Sequence, residues 1–320
     1  LKKDAQQLAD MGITAVWIPP CFKATGSNDT GYGIYDAYDL GEFDQKGTVR
    51  TKYGTRKGLL EAIREVQSQG MSVYADVVLN HRAGADETQR FTVVEVNPEN
   101  RQEVLSEPYE IEGWTRFAFP GRRGRYSEFT WSWEHFNGTD YNQENDRKAI
   151  YLIVGEHKTW AQGVADEFGN YDYLMFANID YGHPDVREET LRWISWFIQE
   201  TGIDGIRLDA IKHINSMFVR DLLGHVRSTF GDAFYCVGEF WDPRLETMQE
   251  YLRNVDGRTD LFDVALHHRL REASVQGEDF DLRTVFEQTL VQVAPDRAVT
   301  FVDNHDSQPG QALGSPVERW

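Results

Sequence analysis

Basic residues, cysteine and long apolar runs are all scarce in this chain, and each scarcity removes a class of function. The 33 Lys and Arg set against 52 Asp and Glu leave a formal charge of -19. That charge repels phosphate backbones and anionic membrane surfaces, so neither nucleic acid nor membrane is expected as a partner. Two cysteines, Cys21 and Cys236, make no disulfide framework. Cys236 lies in the apolar run Ala233-Phe-Tyr-Cys-Val237, the setting of a buried, inert thiol. No apolar stretch is long enough to read as a membrane-spanning helix, and no basic segment followed by an apolar one precedes the first helix. The chain opens on Leu1 inside a helical pattern, so a leader removed before that point stays open. What is abundant is a core and aromatic rings. The 320 residues at 40% hydrophobic content support one large α/β domain or two smaller ones. Nine Trp, 14 Tyr and 18 Phe exceed what a core requires, and flat apolar faces with polar rims suit sugar rings, although core packing is the commoner use.

Hydrophobic periodicity predicts helices over Leu1–Met11, Lys57–Gln69, Arg187–Glu200, Asn215–Thr229, Leu245–Asn254 and Phe280–Val293. They alternate with strands over Ile13–Ile18, Val73–Leu79, Ile203–Leu208, Phe234–Val237, Leu261–Leu266 and Ala298–Val302. Apolar strands separated by helices require a parallel sheet covered on both faces, and repeated units of this size favour a TIM (β/α)8 barrel. Counting from strand 2 to strand 7, strands 1 and 8 are missing, and the chain reads as a fragment. Between His81 and Pro184 the helical period vanishes, and a structureless connection of about a hundred residues does not occur inside a compact domain. An inserted β-rich domain is expected there. The resulting division is 1–81 for the first barrel part (strands 2–3), 82–184 for the inserted domain and 185–320 for the second barrel part (strands 4–7).

In such a barrel, catalytic groups sit at the C-terminal strand ends. Four polar clusters fall there: Asp76 to Asn80-His81, Arg207-Leu-Asp209 with Lys212-His213, Gly238-Glu239-Phe-Trp241, and Phe301-Val-Asp303-Asn-His305-Asp306. One Asp or His after a strand is ordinarily a cap or turn residue, and one Arg-x-Asp is ordinarily a structural ion pair. Four on successive strand ends argue for chemistry. Arg207 and Asp209 share a face because strand side chains alternate, and the guanidinium keeps the carboxylate ionised, as a nucleophile requires. Glu239, between Val237 and the rings of Phe240 and Trp241, has the apolar setting of a general acid. A carboxyl pair flanking the scissile bond is the apparatus of glycoside hydrolysis. Asp306 would then stabilise an oxocarbenium-like transition state, with His81 and His305 as neutral donors to sugar hydroxyls.

These segments resemble the conserved regions of the α-amylase family of retaining glycoside hydrolases (family 13), in the subgroup of bacterial liquefying and intracellular α-amylases. The matching motifs are Asp76-Val-Val-x-Asn-His81, Gly205-x-Arg-x-Asp-x-x-Lys-His213, Gly238-Glu-x-x241 and Phe301-Val-x-Asn-His-Asp306. The similarity continues through Gly31-Tyr-Gly-x-Tyr-Asp36, Asp39-Leu-Gly-Glu-Phe43, Gln45-Lys-Gly47, Thr51-Lys-Tyr-Gly54, Gly169-Asn-Tyr-Asp-Tyr-Leu174 and Gln308-Pro-Gly-Gln311. The resemblance implies Asp209 as nucleophile, Glu239 as acid/base and Asp306 as third carboxylate. It implies Tyr32 stacking on the sugar at the cleavage site and Lys212 contacting the sugar on the leaving side, with Arg207, Trp241, His81 and His305 completing the substrate-binding set. It also implies one structural Ca²⁺ held by Asn80, Asp172, Asn178 and the backbone carbonyl of His213, hard oxygen ligands suited to that ion.

The chain departs from the secreted liquefying pattern at Asn178, which replaces an Asp. Asn137, Ala161 and Gly182 likewise stand where further acidic ligands occur. A weaker primary calcium site and loss of the additional ones are expected, with Asp180 left as a turn or cap residue. The thinner metal set points to the cytoplasm. The expected activity is endo-hydrolysis of α-1,4-glucosidic bonds in starch, glycogen and maltooligosaccharides with retention, by a monomer whose partner is an α-glucan. Four rivals are weighed against it. Transglycosylation uses the same site. A zinc hydrolase would need a His-x-His pair that is absent. A sugar-binding scaffold on the same fold would not need three carboxylates. A catalytically incompetent barrel fragment would expose strand edges.

Overall fold

A computed structural model describes residues 1–308, which form two compact units divided after Tyr235. In the first unit, helix α1 (Ala5–Asp10) ends at Gly12, whose φ of +84° lies in the left-handed region that favours glycine. Strand β1 (Ala15–Ile18) follows, then the short pair β2 (Lys23–Ala24) and β3 (Ile34–Asp36). Thr55 caps α2 (Arg56–Ser68) by accepting from the Gly58 N–H, and Gly70 stops it before β4 (Ser72–Val77). The loop between β3 and α2 is tied down from inside. The buried Lys23 ammonium donates to the carbonyls of Phe43, Thr48 and Val49 at 2.8, 2.6 and 2.7 Å and pairs with Asp39 at 3.2 Å.

The segment without helical period is sheet. Strands β5 (His81–Arg82), β6 (Glu87–Asn97), β7 (Asn100–Val104), β8 (Tyr109–Arg116), β9 (Phe136–Asn142), β10 (Arg147–Ile153) and β11 (Ala177–Ile179) pair antiparallel in the order β5-β11-β9-β10-β6-β7, with β8 on β6. Helix α3 (Pro184–Thr201) starts with proline in its first turn and His183 as cap, buries Val186, Trp193, Ile194 and Phe197, and stops at left-handed Gly202. Strand β12 (Gly205–Leu208) leads to α4 (Ser216–Phe230), capped by Asn215. β1, β4 and β12 run parallel in that spatial order, with Gly205 opposite Tyr74 and Arg207 opposite Asp76. At Gly205 a Cβ would lie 2.6 Å from the Tyr235 carbonyl and 2.8 Å from the Tyr74 ring, so only glycine fits.

The second unit repeats the rhythm with β13 (Tyr235–Gly238), α5 (Leu245–Asn254), β14 (Asp260–Phe262), α6 (Val264–Gln276), α7 (Leu290–Val293) and β15 (Ala298–Val299), its strands parallel in the order β13-β14-β15. Here the periodicity misleads twice. The expected strand Leu261–Leu266 stops at Phe262, because the Asp263 carboxylate accepts the Leu266 N–H at 3.0 Å and starts α6. The expected helix Phe280–Val293 breaks into a 3-10 turn at Leu282–Thr284 and the short α7, with Gln288 left-handed between them (φ +59°). The same Asp263 also takes the N–H groups of Leu290 and Val291 at 3.2 and 2.8 Å. One carboxylate thus caps two segments, which apolar spacing cannot reveal. The final strand ends at Val299 rather than Val302. Residues 309–311 of the motif at Gln308 lie outside the described residues. No helix among the described residues is long and apolar enough to cross a membrane.

Candidate active site

In the first unit, the register that sets Arg207 against Asp76 builds a charged hub at the ends of β4 and β12. Arg207 is fully buried. Its Nη1 donates to both Asp76 oxygens at 2.7 and 2.9 Å and to Asp209 Oδ1 at 2.6 Å. Asp76 Oδ2 also accepts from the Tyr32 hydroxyl at 2.8 Å and from the Trp17 indole at 3.2 Å, and the guanidinium lies 4.8 Å from the Trp17 ring. A single buried cation therefore aims Asp209, while its counter-ion aims Tyr32. Burial, and then the Asp76 charge, push the Tyr32 hydroxyl upward, so it stays a neutral donor. After Asp209 the backbone turns through left-handed Ala210 (φ +49°), which redirects the chain into the 3-10 turn carrying Lys212 and His213.

His81 is buried, its Nε2–H donating to the Tyr32 carbonyl at 2.8 Å, and burial lowers its pKa and keeps it neutral. It thus reaches the same residue as the hub. Lys212 forks onto both oxygens of Glu167 at 2.9 and 3.1 Å. His213 donates from Nδ1 to the Tyr171 carbonyl at 2.7 Å, and burial takes its pKa down to about 3.

Beside this hub lies an oxygen-lined cradle that brings the four expected calcium ligands together. The Asn80 amide reaches the carbonyls of Asp172 and His213 at 3.3 and 3.4 Å. Buried Asp172 accepts from Asn137 Nδ2 at 2.6 Å and from the Ala161 N–H at 2.8 Å. Asn137 Oδ1 in turn accepts from Asn178 Nδ2 at 2.8 Å. Burial pushes the Asp172 carboxyl up to about 6 against these hydrogen bonds. Asn178 Oδ1 is buried and finds no hydrogen-bond partner among the described residues. Two converging carbonyls, one carboxylate and one orphaned amide oxygen form a hard donor set that fits Ca²⁺. Asp180 accepts the Gly182 N–H at 2.8 Å, a turn contact, and pairs with Lys158 at 2.6 Å.

A second cluster, His135, His183 and Asp185, gathers nitrogen and oxygen atoms within 4.8 Å of one another. Both rings accept backbone N–H bonds at Nδ1, His135 from Ser132 and His183 from Asp185, so the neutral rings carry their protons on Nε2. These histidines are caps, and metal binding through Nε2 would break both bonds.

In the second unit, Glu239 is buried directly after β13, and Trp241 follows it. The Trp241 ring lies 5.5 Å from His267 and 6.0 Å from Phe301. His305 Nε2 is 3.3 Å from Asp306 Oδ2, and both side chains are partly exposed. Asn304 shapes this turn by accepting the N–H groups of Asp306 and Ser307 at 2.9 Å each.

Sequence reasoning gave Asp76 no role and overlooked Trp17, Glu167, Asn137 and His267. Asp76 was detectable, since it lies in the motif that supplied Asn80 and His81. Trp17, Glu167 and Asn137 are joined to Asp76, Lys212 and Asp172 in the first unit, and His267 to Trp241 and Phe301 in the second, by folding across tens of residues.

The family model described as "Alpha amylase, catalytic domain" matches residues 4–311. The chain is 50% identical over 320 residues to the alpha-amylase of Bacillus licheniformis, covering all of this chain and 62% of that protein. It is 43% identical over 323 residues to the cytoplasmic alpha-amylase of Escherichia coli (strain K12), covering all of this chain and 65% of that protein. The chain thus spans less than two thirds of the length of these relatives. Among solved structures, it is similar to the alpha-amylase of Geobacillus thermoleovorans complexed with acarbose, with a TM-score of 0.62 and 20% identity over 96% of this chain and 54% of that one. At that identity the likeness speaks to the fold, a TIM-barrel catalytic domain.

Proposed function

This chain belongs to the alpha-amylase catalytic-domain family, and from that premise we propose that the whole protein is an α-amylase, cleaving internal α-1,4-glucosidic bonds of starch, glycogen and maltooligosaccharides with retention. The observation that carries the reading is the bond from buried Arg207 to Asp209 at 2.6 Å, with Tyr32 tied to the same ion-pair network through Asp76. Asp209 attacks the anomeric carbon as the glycosidic bond breaks, and Glu239 gives its proton to the departing oxygen. Glu239, now a carboxylate, takes a proton from water. The hydroxide attacks the same carbon, releases Asp209 and restores the original configuration. Asp306 stabilises the positive charge that develops on the sugar, and His305 donates to a sugar hydroxyl. Tyr32, His81, Trp241 and Lys212 contact the glucan, and Glu167 sets the position of Lys212.

Asn80, Asp172, Asn178 and the His213 carbonyl would hold Ca²⁺, which would supply the positive counter-charge that Asp172 lacks and tie the inserted sheet to the end of β4. With one carboxylate in the set, binding is weak. The division into 1–81, 82–184 and 185–320, a monomeric state and cytoplasmic residence belong to the same reading; the cytoplasm is supported by the Escherichia coli relative and by the thin metal set.

Product analysis with an end-labelled maltooligosaccharide tests the activity: shortened chains are expected, and lengthened chains would make the protein a transglycosylase. Glu239→Gln should abolish turnover while leaving glucan binding in place, and retained turnover would remove Glu239 from its role.

A further inference from the structure

His267 lies on α6, in none of the sequence motifs discussed above, and is fully buried. Its ring stacks flat on Phe301, with centroids 4.9 Å apart and planes 6° from parallel, and it meets the ring of Trp241 edge-on at 5.5 Å. Its Nδ1 is 2.8 Å from the Val302 carbonyl, and since a carbonyl only accepts, Nδ1 carries the proton. Nε2 is then a buried lone pair, and it has no hydrogen-bond partner among the described residues. An unmet buried acceptor is unfavourable, and a phenylalanine or leucine would fill the space without it. What imidazole adds over those residues is the Nδ1–H donor.

That donor acts on a segment with little regular support. β15 ends at Val299, and Phe301 and Val302 continue toward Asp303, Asn304, His305 and Asp306 outside any strand. The backbone of His267 is itself anchored, because its N–H donates to the Asp263 carbonyl at 3.1 Å and the Asp263 N–H donates to Val299 at 2.9 Å. One residue therefore grips the chain leading to Asp306 and also backs the Trp241 ring, two residues beyond Glu239. We propose that His267 is a positioning residue of the glycosidase site, its Nδ1–H bond to Val302 fixing the segment that presents His305 and Asp306 while its ring seats Trp241. It touches no substrate, and the inference rests on the α-amylase reading above.

Asn and Leu have nearly the same shape and differ in the donor, so the decisive pair in the full-length protein is His267→Asn and His267→Leu. His267→Phe, which keeps the stacking ring, serves if the Leu variant does not fold. For each, kcat and KM on a maltooligosaccharide are measured per competent site, counted by covalent trapping with a fluorinated α-glucosyl fluoride. The expected result is kcat per site roughly 10- to 100-fold lower in the Leu or Phe variant, KM changed far less, and most of the loss recovered in Asn. A structural role alone would lower the number of competent sites and the melting temperature but not kcat per site, and that result overturns the inference. Equal loss in Asn and Leu also overturns it, since the hydrogen bond would not be the cause. An unmodified protein that neither cleaves glucan nor traps the reagent sinks the α-amylase reading instead.

Discussion

Two buried polar clusters lie side by side in the first unit, and they obtain their positive charge differently. The hub around Arg207 carries its cation covalently: one guanidinium binds Asp76 and Asp209 at 2.6–2.9 Å. The cradle around Asp172 is joined by amides of Asn80, Asn137 and Asn178, and it leaves one buried oxygen unmatched and its carboxyl pushed up to about 6. A cluster with its own cation is complete as soon as the chain folds, whereas one built from oxygens alone gains its last stabilisation from a bound ion. Lys23 in its cage of three carbonyls and Asp39 follows the rule of the hub. On the proposed reading, Asp209 is aimed by the self-sufficient cluster, and the cradle is the one that would take the ion.

The largest effect is expected from breaking the hub. Arg207→Lys keeps the charge but replaces the long guanidinium, whose Nη1 reaches both carboxylates, with a shorter, strongly hydrated ammonium, and kcat/KM on soluble starch should fall at least about 100-fold. Asp76→Asn leaves Arg207 and Asp209 as a pair while weakening the grip on Tyr32 and Trp17. A loss of roughly 10- to 100-fold in kcat is expected from steady-state kinetics. Lys23→Met extends the comparison to a third cluster: Asp39 keeps its hydrogen bonds from the Gly41, Glu42 and Phe43 N–H groups and the Gln45 amide but is left buried without its cation, and chemical denaturation should show about 3 kcal/mol of lost stability. Chelation should act only on the cradle, lowering the melting temperature by a few degrees, with recovery on adding Ca²⁺. By titration calorimetry with Ca²⁺, Asn178→Asp should tighten binding by about 10-fold or more, because it adds a second carboxylate.

The smallest effect concerns neither cluster. Burial, with His183 nearby, lowers the His135 pKa from 6.5 to about 4. The unfolded chain therefore binds the extra proton first as pH falls. The contribution of neutral His135 is full above about pH 6.5 and is lost progressively toward pH 4. Unfolding curves between pH 7 and pH 4 should be flatter for His135→Gln than for the unmodified protein.

The comparison also explains what could be read in the sequence. Arg207 and Asp209 were legible as partners because alternation on one strand forces them together. Asp76 completes the same hub from the neighbouring strand, and only the register that sets it opposite Arg207 reveals this. Gly12, Gly70 and Gly202 each stand one or two residues past the end of an expected helix in the sequence, and each takes the left-handed backbone that favours glycine. The apolar run after Leu261 looked like continuing strand because the decisive event is a side-chain bond from Asp263 to the Leu266 N–H. Glu167, which holds Lys212 from 45 residues away, sits on a 3-10 turn with no periodicity to mark it. The cradle's ligands came from resemblance, but the bridging place of Asn137 between Asp172 and Asn178 is a product of folding.

The carboxylate aimed by Arg207 is the one proposed to attack the sugar. Incubating the full-length protein with a fluorinated α-glucosyl fluoride, followed by peptide mass spectrometry, tests it directly. A glycosyl adduct on Asp209, lost in Asp209→Asn, is the result expected here. An adduct on another carboxylate, or turnover of starch with none trapped at Asp209, would contradict it.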